Sequence, residues 1–218
     1  MKKIKISLII NIIITILVIL ASIFMFTGIK FMPGNTLLEV SKISMLKFYT
    51  VDSNILIGIS SLIFIIYEFK LLKQKIKEIP NKIYIFKFVA TSAITLTFLI
   101  TAIFLSPQYG FYAMYNNNNL FFHLIIPLLS IITYIRYEHH LNKYSYALYG
   151  IIPMFIYSIY YSSRVLIHLN DGGLTFKYDF YGFLQGNLNN IYIVIPVIYL
   201  TAYLISLFLI FFNKKLSS

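Results

Sequence analysis

The sequence contains no cysteine and no tryptophan, and only 11% of its residues are Asp, Glu, Lys or Arg. Without cysteine there is no disulfide, no thiol nucleophile and no cysteine metal site. Covalent chemistry would have to use Ser, Thr, Asp, Glu, Lys, His or Tyr. Without Trp, any interfacial aromatic belt falls to Tyr and Phe. The shortage of charge excludes an ordinary soluble domain, about a quarter of whose residues are charged.

What is there is apolar: 59% of the 218 residues are hydrophobic, and the mean hydropathy is +0.81. Uncharged apolar runs of roughly 20 residues recur, each long enough as a helix to cross about 30 Å of hydrocarbon. The pattern predicts an all-α polytopic membrane protein, a single domain over residues 1–218 with six transmembrane helices. Their expected limits are about 6–29, 49–72, 83–105, 120–137, 144–169 and 191–212. The first apolar run follows three lysines and superficially resembles a signal peptide. It is longer than a signal core and no small-residue cleavage site follows, so it reads as an uncleaved span.

The net charge of +11 does not point to nucleic acid, because the lysines stand in short runs beside the spans. There they set topology and meet anionic lipid at the cytoplasmic face. Lys70, Lys73, Lys75, Lys77, Lys82 and Lys87 surround Pro80-Asn81, whereas the connection 108–119 carries no charge. Thirteen of the 18 basic residues fall at one set of span ends. This predicts cytoplasmic N and C termini in the cell membrane. Pro33-Gly34-Asn35 is a turn signal, Leu37–Leu46 a short amphipathic piece, and Pro153 a kink in the fifth span. His139-His140 follows Glu138 on the cytoplasmic side. Adjacent histidines do not share a helix face, so no metal site is expected there, and nothing calls for a cofactor.

Polar side chains converge at the opposite span ends. Thr50, Ser53 and Asn54 share one face at the start of span two, with Asp52 beside them and Gly58 and Ser61 continuing the face inward. His123 lies one turn into span four, and Arg164 and His168 share a face near the end of span five. An intramembrane His or Arg is expensive and by default faces the bundle interior or a wet cavity. Tyr149, Pro153, Tyr157, Tyr160, Arg164 and His168 form one stripe, and Tyr192, Pro196, Tyr199, Tyr203 and Ser206 another. Together these would line an apolar cavity with hydrogen-bonding tips, suited to a lipid or acyl chain with a polar head.

Thr50-Val51-Asp52-Ser53-Asn54, Asn119-Leu120-Phe121-Phe122-His123 with Pro127, and Pro153 with Tyr157 and Arg164 resemble the androgen-induced membrane hydrolases and their bacterial six-span relatives. The resemblance covers most of spans two to five. It implies a multi-span helical fold and a Thr/His pair acting on fatty-acyl esters, which maps to Thr50 and His123. Apart from the family, the residues themselves suggest the substrate contacts: Asn54, Arg164 or His168 would stabilise an oxyanion, Asp52 would orient the imidazole, and Tyr157 and Tyr160 would line the substrate cavity. The chain departs from the family at the charged Asp52, in lacking a Trp late in span four, and in a Thr-to-His separation shorter than in eukaryotic members.

Plainer readings stand beside this one. Thr50 would serve as the N-cap of span two, and His123 would bond the Asn116–Asn119 loop or a headgroup. Arg164 would snorkel to lipid phosphate or pair with Asp171 or Asp179. The tyrosines would be packing, and Thr91, Thr95, Thr97 and Thr101 would bond back to their own helix. Two other functions remain open: a non-catalytic six-span protein such as the substrate-binding subunit of a vitamin transporter, and a membrane acyltransferase. The first would dock its partner through small residues on span one, where this chain has Ile12, Ile16 and Leu20. The sequence names no protein partner.

Overall fold

The computed structural model describes residues 1–33, 42–138 and 143–217. Six helices are long and apolar enough to cross a membrane, and no strand occurs among the described residues. They are α1 (Lys2–Thr27), α2 (Tyr49–Leu72), α3 (Asn81–Tyr109), α4 (Asn118–Arg136), α5 (Tyr144–Ile167) and α6 (Leu188–Leu216). The chain is therefore a multi-pass membrane protein. Limits move from those expected mainly in α3, which runs on through Pro107, and at the ends of α1 and α6. Gly34 and Asn35 of the expected turn, residues 37–41 of the expected amphipathic piece, and His139-His140 lie outside the described residues. Lys42–Lys47 is a 3-10 turn leading into α2.

Helix α3 is the most enclosed of the six and packs on α2, α4, α5 and α6, while α1 lies along α2 and α4. Asn213 of α6 donates to the Glu138 carbonyl and Ser7 of α1 donates to the Glu138 carboxylate. Both termini therefore stand at one end of the bundle. The large residues left exposed, such as Ile16, Ile59, Ile156, Leu200 and Phe208, form the surface that faces lipid.

Local chemistry explains the irregular stretches. Pro153 does not kink a continuous helix. Tyr144–Ile151 winds as a 3-10 helix, and Pro153 sits in the first turn of the α-helix that follows, where its missing N–H is not needed. Ile100–Leu105 in α3 and Phe121–Ile125 in α4 are π-helical. Thr91 and Thr95 bond back to Lys87 and Thr91 carbonyls as expected, but Thr97 pairs with Ser53 of α2 at 2.8 Å. The α5–α6 connection is closed by Asp179, which accepts from the Tyr161 hydroxyl and from the amides of Phe183 and Leu184. Asn117, at φ 51°, clamps the exit of α1 by accepting from the Phe31 and Met32 amides at 2.8 and 2.7 Å.

Close helix approach depends on missing side chains. A Cβ on Gly58 would come within 2.8 Å of Val18 on α1, and one on Gly150 would overlap Ser206 on α6 and meet Ser92 on α3 at 3.0 Å. Gly150→Val should therefore cost about 1–3 kcal/mol by overpacking. The measurement is the thermal midpoint of the purified protein in detergent. An unchanged midpoint would mean that α3, α5 and α6 do not meet there.

Candidate functional site

The end of the bundle away from the termini holds the residues singled out from sequence. The N-cap of α2 is Phe48, so Thr50 lies inside the first turn and is not the cap. Its carbonyl accepts from the Ser53 hydroxyl at 3.0 Å and the Asn54 amide at 2.7 Å. Its side chain lines a narrow cleft of about 40 Å³, with Thr97, Met154, Tyr157, Tyr181 and Ile198. The Tyr181 phenol lies against the Thr50 and Tyr157 hydroxyls, and burial keeps it protonated, pushed up to about 12.

A wider cavity of about 280 Å³ lies between α2 and α5, lined by Tyr49, Asp52, Ser53, Pro153, Tyr157 and Tyr160 among others. Tyr49 and Tyr157 pack edge to face at 5.1 Å and belong to the walls of both cavities. Tyr157 also donates to the Lys47 carbonyl at 2.7 Å, holding α5 against the entry to α2.

His123 is fully buried in the π-helical turn of α4. Its Nδ1 lies 2.7 Å from the Met114 carbonyl, which can only accept, so Nδ1 carries the proton and Nε2 the lone pair. Nε2 has no hydrogen-bond partner, and Thr50 and His123 are accordingly not bonded to each other. What connects their turns is Asn54. The same amide nitrogen that donates to the Thr50 carbonyl donates to the Phe122 carbonyl at 3.1 Å, and its Oδ1 is buried without a partner.

Arg164 meets the wider cavity through Tyr160, whereas His168, which lines neither cavity, is turned toward Tyr178. Arg164 donates to the Tyr160 hydroxyl at 3.3 Å, and its buried Nε is unpartnered. His168 donates to the Arg164 carbonyl at 2.9 Å and stacks on Tyr178. Asp179 is engaged by Tyr161 and backbone amides and is not the partner of Arg164. Lys47 and Arg164 both lie over the Phe180 ring, at 5.3 and 5.8 Å from its centroid. Burial, and then the Arg164 charge, lower the Lys47 pKa from its ordinary value.

A second polar group, at the other end, was not anticipated. Lys87, counted among the loop lysines, is buried inside α3. It bonds Asn11 of α1 and Ser61 of α2, each at 2.6 Å, and lies 3.7 Å from Glu138. Glu138, also assigned to a loop, is buried, and burial pushes its carboxyl above the ordinary range while Lys87 opposes the shift. Tyr181 and Asn117 were likewise missed. For Asn11, Glu68 and Lys87 a signal existed, since each interrupts an otherwise apolar run.

No known protein family, curated protein or solved structure matches this chain.

Because Asn54 satisfies a carbonyl on α4, Asn54→Ala should destabilise the protein by about 1–3 kcal/mol, the usual cost of an orphaned buried acceptor. Ser60→Ala, which removes only a bond to the Ile57 carbonyl of its own helix, should cost much less. Equal thermal midpoints for the two variants would show that Asn54 does not bridge α2 to α4.

Proposed function

We propose that this membrane protein hydrolyses fatty-acyl esters, with Thr50 as nucleophile and His123 as general base, in the outer leaflet of the cell membrane. One observation carries the reading. His123 is wholly buried, its Nδ1–H is committed to a carbonyl and its Nε2 lone pair is unengaged, in a turn that Asn54 ties to the turn of Thr50. A neutral imidazole in that tautomer is what activation of a hydroxyl requires.

The acyl chain would occupy the cavity between α2 and α5, with the carbonyl reaching Thr50 past Tyr49 and Tyr157. Catalytic hydrogen bonds are often loose in a resting enzyme, so Thr50 Oγ and His123 Nε2 would close together with substrate in place. The hydroxyl attacks the carbonyl carbon and its proton passes to Nε2. The Tyr181 phenol, held protonated by burial, donates to the developing oxyanion. Collapse expels the alkoxide, which takes the proton from His123, and water then releases the acid from the Thr50 ester by the same steps. A polar head would enter past Asp52 and Tyr160, which line that cavity, toward Arg164, which bonds Tyr160, and His168, which bonds the Arg164 carbonyl. The concentration of basic residues at the other end supports cytoplasmic termini, where the 70–87 connection meets anionic lipid.

An alkyl fluorophosphonate, which captures an activated hydroxyl, tests this in native membranes. Labelling and ester cleavage should disappear in Thr50→Ala. In His123→Ala the rate should fall by about 10²–10⁴, the usual contribution of a general base. Thr50 bonds the rest of α2 through its carbonyl, so the alanine variant should still purify as a monodisperse protein. Undiminished labelling of that variant rejects the assignment.

A further inference from the structure

Six polar side chains from four segments meet near the end of the bundle that carries the termini, and the reaction proposed above uses none of them. They are Ser7 and Asn11 of α1, Ser61 and Glu68 of α2, Lys87 of α3, and Glu138 beyond α4, each at most 2% exposed. Lys87 holds Asn11 Oδ1 and Ser61 Oγ at 2.6 Å and faces Glu138 Oε1 at 3.7 Å. The Asn11 amide nitrogen lies 2.9 Å from Glu138 Oε1, 3.3 Å from Ser7 Oγ and 3.4 Å from Glu68 Oε2. Ser7 donates to Glu138 Oε1 at 3.5 Å, and Glu138 Oε2 is buried with no partner.

The cluster contains two carboxyl groups and one ammonium. Their partners are unequal. Glu138 has the ammonium, the amide and a hydroxyl on one oxygen, whereas Glu68 has the Ser7 hydroxyl and a long contact with the Asn11 amide, both neutral, and no ammonium within ion-pair distance. One ammonium neutralises one carboxylate, and it belongs to Glu138. Glu68 is left to be ionised and uncompensated inside hydrocarbon, which is prohibitively costly, or to carry a monovalent cation. Among the described residues, Lys87 and Glu138 are the charged groups that act on it. The other titratable side chains near the carboxylates are the Tyr84 and Tyr134 phenols from α3 and α4, and a phenol carries no charge at neutral pH. The contribution of α6 is the Asn213 amide on the Glu138 carbonyl, and Glu78, beyond Tyr84, is exposed.

The geometry points to a proton-binding site: one proton resides on Glu68 at neutral pH, balanced within the cluster by the Lys87–Glu138 ion pair. The ligand class is H⁺. A site so enclosed exchanges its proton only when α1 or the Glu138 segment admits water, so uptake and release are coupled to a rearrangement at this end of the bundle. The inference stands independently of whether Thr50 and His123 are catalytic.

Infrared difference spectroscopy of the full-length protein in liposomes at neutral pH tests it. The wild-type minus Glu68→Gln spectrum should contain a protonated carboxylic C=O band. The Lys87→Met minus wild-type spectrum should contain a second carboxylic band of about the same size, because Glu138 then also takes a proton. A carboxylate signal in place of the carboxylic band overturns the proposal. So does a thermal midpoint that rises with sodium but not with choline in the wild type alone, since sodium would then be the ligand. Glu68→Gln has the shape of the protonated acid and should fold. Should it not, Lys87→Met read against the wild type still decides, and no growth of the carboxylic band rejects the site.

Discussion

Hydrocarbon offers no hydrogen bonds, so each polar group that this chain carries below the headgroups must find its partner inside the bundle. The chain does this in two ways. Thr91, Thr95, Ser130, Thr133 and Ser206 turn back to carbonyls of their own helices, which satisfies them without fixing any neighbour. Ser53 with Thr97, Asn54 with Phe122, and Asn213 with Tyr134 and Glu138 reach across. Apolar side chains pack nearly as well on lipid as on one another, so these few crossings set the relative positions of helices that greasy contact leaves undecided.

The two ends of the bundle solve the same problem differently. Around Lys87 most polar atoms are engaged, and charge balance requires only one proton. At the far end, buried acceptors and donors are left over: His123 Nε2, Asn54 Oδ1 and Arg164 Nε. Each such atom costs about 1–3 kcal/mol, and their concentration marks a place where folding stability has been given up. Both π-helical stretches lie at this end. One contains His123, and the other supplies Ile100, Thr101 and Leu105 to the Thr50 cleft. A π-turn swings the side chains after it out of the ordinary helical register, which is why such turns recur at functional positions.

The six spans were legible because length and hydropathy alone decide them, and the back-bonding of Thr91 and Thr95 followed from their place in an apolar helix. The limits of α1, α3 and α6 were less so, since helices continue past the hydrocarbon wherever residues such as Lys2 or Pro107 allow it. Lys87 and Glu138 were misplaced for one reason. A charge close to a span end usually belongs to the adjoining loop, and only the approach of Asn11 and Ser61 from other helices brings these two inside. Asn54 was legible as a polar residue on the face of Thr50, but its carbonyl partner on α4 depends on the register between helices, which no local pattern contains. Tyr181 and Asn117 lie in connections without periodicity, where sequence carries turn chemistry but not contacts.

Helices α2 and α4 take part in both polar regions. Helix α2 carries Thr50, Asp52 and Asn54 near one end and Ser61 and Glu68 toward the other. Helix α4 carries His123 near its start and leads into Glu138, about 20 Å further along at the helical rise. Between those points its hydroxyls bond only within the helix, and its large side chains meet α3 through the tilted rings of Phe88 and Tyr134. Apolar contacts of that kind tolerate sliding, whereas the bonds to Asn54 at one end and to Asn11, Lys87 and Asn213 at the other do not. The placement of α4 along the bundle is therefore decided at its ends, and the geometry around His123 depends on both.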